Sequence, residues 1–165
     1  MKKKLPFTAA EWDAVRWAAG AVTEAAQADD ADRRAARFAD LRSILVELRG
    51  RYGNHPLLWE TEADFTSAPQ AAAELYRQAE AAAVGSNWPT MSIRLALARV
   101  LAEELDLRAE ARAVLLACQD ELPWSLEADC LAWTTLLSTC PPDAPSDLVG
   151  SRPGAIQTAA VGRAG

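Results

Sequence analysis

Proline placement narrows the fold of this chain more than any other feature. Pro6, Pro56, Pro69, Pro89 and Pro123 each stand at the edge of a stretch rich in helix-forming residues. Proline lacks a backbone N–H and clashes with the turn before it, so it is tolerated at a helix's first turn but not in its middle. Between these prolines alanine, about a fifth of the 165 residues, is joined by Leu, Glu, Arg and Gln, all strong helix formers. Valine, isoleucine and threonine never alternate at the two-residue period of a half-buried strand. The expectation is an all-α chain of about seven helices.

The boundaries follow from capping chemistry. Thr8 with Glu11 fits a capping box, opening a first helix over 9–27 whose apolar face is Trp12, Val15, Ala19, Val22 and Ala26. Gly20 in its middle suggests close approach of another helix. Asp29 and Asp30 suit the positive end of a second helix over 31–52, stopped by Gly53, with Phe38, Leu41, Leu45, Leu48 and Tyr52 as a one-sided seam. A third helix spans 56–65. Ser67 with Gln70 predicts a second capping box for a fourth helix ending at Gly85. A fifth runs over 91–105, with Ile93, Leu97, Val100 and Leu101 along one side. A sixth runs over 108–122, with Ala111, Leu115, Cys118 and Leu122 as its stripe. Ser125 is placed to cap a seventh with the stripe Leu126, Cys130, Trp133 and Leu137. The segment 141–165 holds four prolines and four glycines and few large apolar groups. It is expected to be a disordered tail, because so little burial cannot offset the entropy of ordering. The domain is therefore placed at 8–140, with 1–7 as an N-terminal extension.

Composition removes several classes of function. Half the residues are hydrophobic and 24% charged, the balance of an ordinary globular chain. Lys plus Arg is 17 against 23 Asp plus Glu, a net charge of −6, which argues against a partner made of nucleic acid. No apolar run approaches the roughly 20 residues of a membrane span, so no membrane role is expected. Lys2, Lys3 and Lys4 imitate the start of an export signal, but Glu11 and Asp13 fall where its apolar stretch would lie. Cys118, Cys130 and Cys140 show no C-x-x-C spacing and read as reduced thiols in a cytoplasmic protein.

Internal similarity suggests how the helices are organised. With Ala72 placed on Ala111, Ala72-x3-Tyr76-x2-Ala79 matches Ala111-x3-Leu115-x2-Cys118, and Pro123 follows five residues later. The stretch ALARVLAEELDLRAEARAVLLACQDELP reads as helix, tight turn, helix and terminal proline. In these features the chain resembles the tetratricopeptide repeat family (TPR). The two units lie 39 residues apart, against a family period of about 34. Glu60 and Arg99 stand where the family has a glycine, and Pro56 and Leu95 where it has a tryptophan. The resemblance is thus to a divergent array and covers mainly 53–123. It implies stacked antiparallel helix pairs, a TPR-like α-solenoid, whose concave side is lined by the first helix of each pair. On that side it places Asn54, Thr61 and Asp64 from one unit and Glu103 and Glu104 from the next.

Motifs for catalysis are missing. No H-E-x-x-H, G-x-x-x-x-G-K-[ST] or G-x-G-x-x-G occurs, and His55, the single histidine, is tied to no nucleophile by a known spacing. The carboxylates Glu60, Glu62, Asp64, Glu103, Glu104, Asp120 and Glu121 read first as a solvated acidic surface. Of the six tryptophans, Trp12, Trp59 and Trp133 fall on or near apolar stripes, Trp17 lies off the stripe of its helix, and Trp88 and Trp124 lie in connectors beside prolines, Trp88 being the candidate contact anchor. The sequence therefore predicts a non-enzymatic, cofactor-free protein-binding scaffold. Its acidic face, with Asn54, Thr61, Asp64, Trp88, Glu103 and Glu104 as the binding set and no metal site, suits another protein's basic segment. Two alternatives stand beside it: a small acidic immunity or inhibitor-type protein neutralising a basic toxin, and a carboxylate metal-binding helical bundle.

Overall fold

The computed structural model describes residues 5–142, and these are helical throughout, with no strand among them. The α-helices are α1 (Ala9–Gln27), α2 (Ala31–Tyr52), α3 (Pro56–Phe65), α4 (Pro69–Gly85), α5 (Met91–Arg99), α6 (Arg108–Ala117) and α7 (Glu127–Thr139). A π-helical segment, Val100–Glu104, continues α5, and a 3₁₀ segment, Gln119–Trp124, follows α6. The segments at 1–4 and 143–165, with the expected tail, lie outside the described residues.

Local chemistry explains most of the boundaries. Thr8 Oγ1 accepts from the Glu11 amide at 3.2 Å while the Glu11 carboxylate accepts from the Thr8 amide at 2.8 Å, completing the predicted capping box. The Asp30 carboxylate accepts from the Arg33 amide at 2.9 Å and caps α2. Helix ends use left-handed residues: Asp29 (φ 53), Gly53 (φ 73), Asn87 (φ 52) and Asp106 (φ 52). At the end of α1 the Asp30 amide reaches back to the Ala25 carbonyl (3.1 Å) and the Asp29 amide to Ala26 (3.2 Å). Trp88 and Asn87 repeat this at the end of α4, bonding Ala83 and Val84 at 2.7 and 3.1 Å. Both are Schellman stops, which reverse the chain within a few residues and lay consecutive helices side by side.

Several details depart from expectation. The Ser67–Gln70 box does not form: Ala68 precedes α4 and gives no side-chain cap, and Pro69 at the first turn carries no amide to satisfy. The sixth helix stops at Ala117, short of the expected Leu122, and the last turn is a 3₁₀ segment containing Pro123, whose missing N–H leaves the Gln119 carbonyl without an α-helical donor. Ser125 then donates back to the Glu121 carbonyl at 2.9 Å instead of capping α7. Near its end the fifth helix widens, with the Leu105 amide bonding Val100 five residues back at 3.1 Å. Val100, Leu101 and Ala102 are all buried in succession, more of the circumference than one helical face provides, and α5 is enclosed by α4, α6 and α7. Gly20 faces open space, with nothing within 4 Å of where a Cβ would stand. On α1 the buried residue is Ala25, not Ala26.

Packing runs along the chain. α1 packs chiefly on α2, α3 on α4, and α5 on α6, with α2–α3, α4–α5 and α5–α7 joining these pairs. The buried apolar side chains fall into two clusters. One gathers Phe7, Val15, Val22, Leu41, Leu45, Leu48 and Leu58 between α1, α2 and α3. The other joins α4 to α7 through residues such as Tyr76, Ile93, Leu97, Leu101 and Leu115. On α7, Leu136 is buried, with Cys140 just past its end, and Trp133 and Leu137 of the expected stripe pack half-buried against the same cluster, while Leu126, also expected in the stripe, is 74% exposed. Among the described residues no helix is long and apolar enough to cross a membrane. Cys118, Cys130 and Cys140 are free thiols, the first and last buried.

Candidate interaction surface

The three carboxylates of α3 have different fates. Glu62 points inward and is 4% exposed, held by Arg49 Nη2 at 2.6 Å and Arg42 Nε at 2.9 Å. The Arg49 guanidinium also lies over the Trp59 ring, 4.0 Å from its centroid, a cation–π contact that fixes the pair from the other side. Glu60 and Asp64 are one helical turn apart and share a different face. Among the described residues neither is in an ion pair. Tyr76 of α4 donates its hydroxyl to Asp64 Oδ1 at 2.7 Å.

Desolvation raises the Glu60 carboxyl above its ordinary pKa, the nearby Ser92 hydroxyl offsets part of that, and Asp64 adds like-charge repulsion. Asp64 is raised by desolvation too, although one side of it meets solvent, with the Tyr76 hydrogen bond pulling the other way. Burial and the Asp64 hydrogen bond push the Tyr76 phenol far above its usual range, so it remains a donor. Arg99 is close enough to act electrostatically on Tyr76. On this face Tyr76 holds Asp64 and Ser92 stands beside Glu60, and among the described residues no lysine or arginine pairs with either carboxylate.

Ser92, at the start of α5, leads from that face into a groove. Its walls come from the α4–α5 connector (Trp88, Pro89), the first turn of α5 (Met91, Ser92) and the turn into α7 (Trp124, Leu126), with Asp120 and Asp129 among the lining residues. Glu121 also lines it but is engaged. It accepts from the Thr90 amide at 2.9 Å, the Met91 amide at 3.1 Å and the Thr90 hydroxyl, capping a helix that has no side-chain cap of its own. Trp88 is half-buried, its ring edge-on to His55 at 4.9 Å, and His55 meets Phe7 at 5.0 Å. His55 caps α3, its Nδ1 accepting from the Leu57 amide at 3.4 Å, and burial lowers its pKa and favours the neutral ring. Trp124, by contrast, is 89% exposed.

The expected binding residues are therefore divided between regions. Asp64 joins Glu60 and Tyr76, and Trp88 lines the groove. Asn54 is exposed in the α2–α3 connector, and Thr61 turns its hydroxyl onto the Leu57 carbonyl at 2.7 Å. Glu103 and Glu104 lie on the π-helical segment, beside a shallow depression shared with Asp106, Arg108 and Thr139. No hydrogen bond or ion pair among the described residues connects them with Asp64. Sequence reasoning missed Ser92 and Leu126 as surface-forming residues and Tyr76 as the donor to Asp64. Trp124, a connector tryptophan after Pro123, is the more exposed of the two connector tryptophans, whereas Leu126 was masked by its fit to a helical stripe. Among the described residues no three His, Cys, Asp or Glu side chains converge as a metal-ligand set would. No protein family, curated protein or solved structure matches this chain.

Proposed function

We propose that the chain is a non-enzymatic protein-interaction module, a TPR-like array of helix pairs that holds a basic segment of another protein against the face formed by α3 and α5. One observation carries this reading: Asp64 accepts from the Tyr76 hydroxyl, half-buried Glu60 lies one turn away beside Ser92, and among the described residues neither has an ion-pair partner, while Glu62 on the same helix is held by two arginines. A fold that only needed a soluble surface gains nothing from carboxylates held above their ordinary pKa, whereas an incoming lysine or arginine would recover that cost. The array reading is supported by helix contacts that run mainly between neighbours along the chain and by two apolar clusters instead of one centre. The excess of acidic over basic residues adds long-range attraction for a cationic partner.

The test is a titration of the full chain with a fluorescent lysine-rich peptide and with its glutamate counterpart. The lysine peptide is expected to bind, less tightly as salt rises, and to lose affinity about tenfold with Glu60→Gln and Asp64→Asn combined. Equal affinity for both peptides, or none for either, would remove the reading.

A further inference from the structure

We infer that the groove between the α4–α5 connector and the start of α7 is an anchor pocket for one large aliphatic side chain of that basic segment, seated between flanking lysines or arginines. The inference rests on the reading above and specifies the partner's chemistry.

Exposure is the first argument. Trp124 is 89% and Leu126 74% exposed, and with Trp88 and Met91 they give one groove an apolar wall. Single exposed apolar residues are ordinary, but a concave cluster containing a tryptophan has the make-up of a binding hot spot. Trp17 of α1 is 81% exposed too, yet its concavity is lined by Asp13, Arg16, Gly20, Ala21 and Glu24, with Ala21 the one other apolar side chain. The two exposed tryptophans are thus not equivalent.

Charge is the second. Among the described residues the groove's lining includes Asp120, Glu121 and Asp129 and no lysine or arginine. Glu121 is committed to the first turn of α5 and lies 4.0 Å from Arg94, so its charge is largely answered. Asp129 sits in the first turn of α7, where the helix end contributes roughly +0.5 of a charge. Asp120 and most of the Asp129 charge remain to face a ligand. An anionic or wholly apolar partner leaves them unanswered, and a cation on either side of an aliphatic anchor satisfies both. Continuity is the third argument: Ser92 lines this groove and also stands beside Glu60, so one extended segment can reach both places.

The experiment compares two peptides on the full chain, Lys-Lys-Leu-Lys-Lys and Lys-Lys-Gly-Lys-Lys, reading affinity together with the Trp124 indole N–H resonance. The leucine peptide is expected to bind about tenfold tighter and to move that resonance. Its advantage should vanish in Trp124→Ala and in Leu126→Ala, both of which alter exposed positions, and should persist in Trp17→Ala. Equal binding of the two peptides with the Trp124 resonance unmoved overturns the anchor and leaves the cation-binding face standing. Failure of both peptides to bind overturns both readings. Self-association of the chain that Trp124→Ala abolishes, without any preference for leucine, would assign the groove to a second copy and overturn the inference.

Discussion

Glu60 and Glu62 sit two residues apart on α3, and the physics at each gives opposite predictions. Glu62 is an enclosed charge matched by Arg49, whose side chain is only 12% exposed. Removing one member of such a pair leaves the other charged and buried, at a cost of about 3 kcal/mol or more. Glu62→Ala should therefore lower the unfolding free energy by that amount in urea titrations, whereas Arg42→Ala, at a side chain 65% exposed, should cost under about 1 kcal/mol. A comparable loss for both would show that Arg49 is not the partner that matters. Glu60 behaves in the reverse sense. Its folded-state pKa is raised, so the native chain holds its proton more tightly than the unfolded chain does. The stability it contributes is complete below the unfolded value and is lost as pH rises through the folded one. Glu60→Gln should accordingly raise the melting temperature relative to the parent at pH 7, with the difference shrinking toward pH 4. The sequence shows three carboxylates at alternating positions and treats them as one solvated surface. Burial divides them, and burial is a property of neighbours that are far away in the chain.

At the level of elements, helix ends were the most legible features. Thr8, Asp30, Gly53 and Pro56 act through bonds to residues only a few positions away, so their roles can be read locally. Where a cap comes from a distant element, local reading fails. α5 is the instructive case, because its first amides are met by Glu121, 30 and 31 positions further along. Replacing Glu121 by alanine should leave Thr90 and Met91 with unmet donors and cost about 1–2 kcal/mol, measurable by chemical denaturation. Glu121→Gln, which keeps an acceptor, should lose less. If the alanine variant were as stable as the parent, the 3₁₀ segment would have no part in holding α5. The widened end of α5 was hidden for a related reason. Ile93, Leu97, Val100 and Leu101 show one apolar side, but three other helices close around α5 and the demand on its circumference exceeds one stripe.

Across the whole molecule, stability should be uneven. Among the described elements α1 packs chiefly on α2 alone, while α5 contacts α4, α6 and α7. Regions with few packing partners open first, at free energies below that of global unfolding. Native-state hydrogen exchange should therefore show α1 amides exchanging through an opening that leaves α5 protected. Uniform protection from α1 to α7 would mean that the two apolar clusters behave as one cooperative core. The groove depends on the same arrangement, because Trp88 and Ser92 at the start of α5 and Trp124 and Leu126 before α7 are brought side by side only by the stacking of α5, α6 and α7.

The sequence by itself determined the helical class, the extent of most helices and the residues of the inner seams. Those follow from backbone propensity, proline geometry and a period of 3.6 residues, all of which act over a turn or two. The tertiary structure alone decided which carboxylates are paired, which tryptophans face solvent and where a groove opens. Each of these depends on desolvation by residues distant in sequence, and no local spacing encodes that.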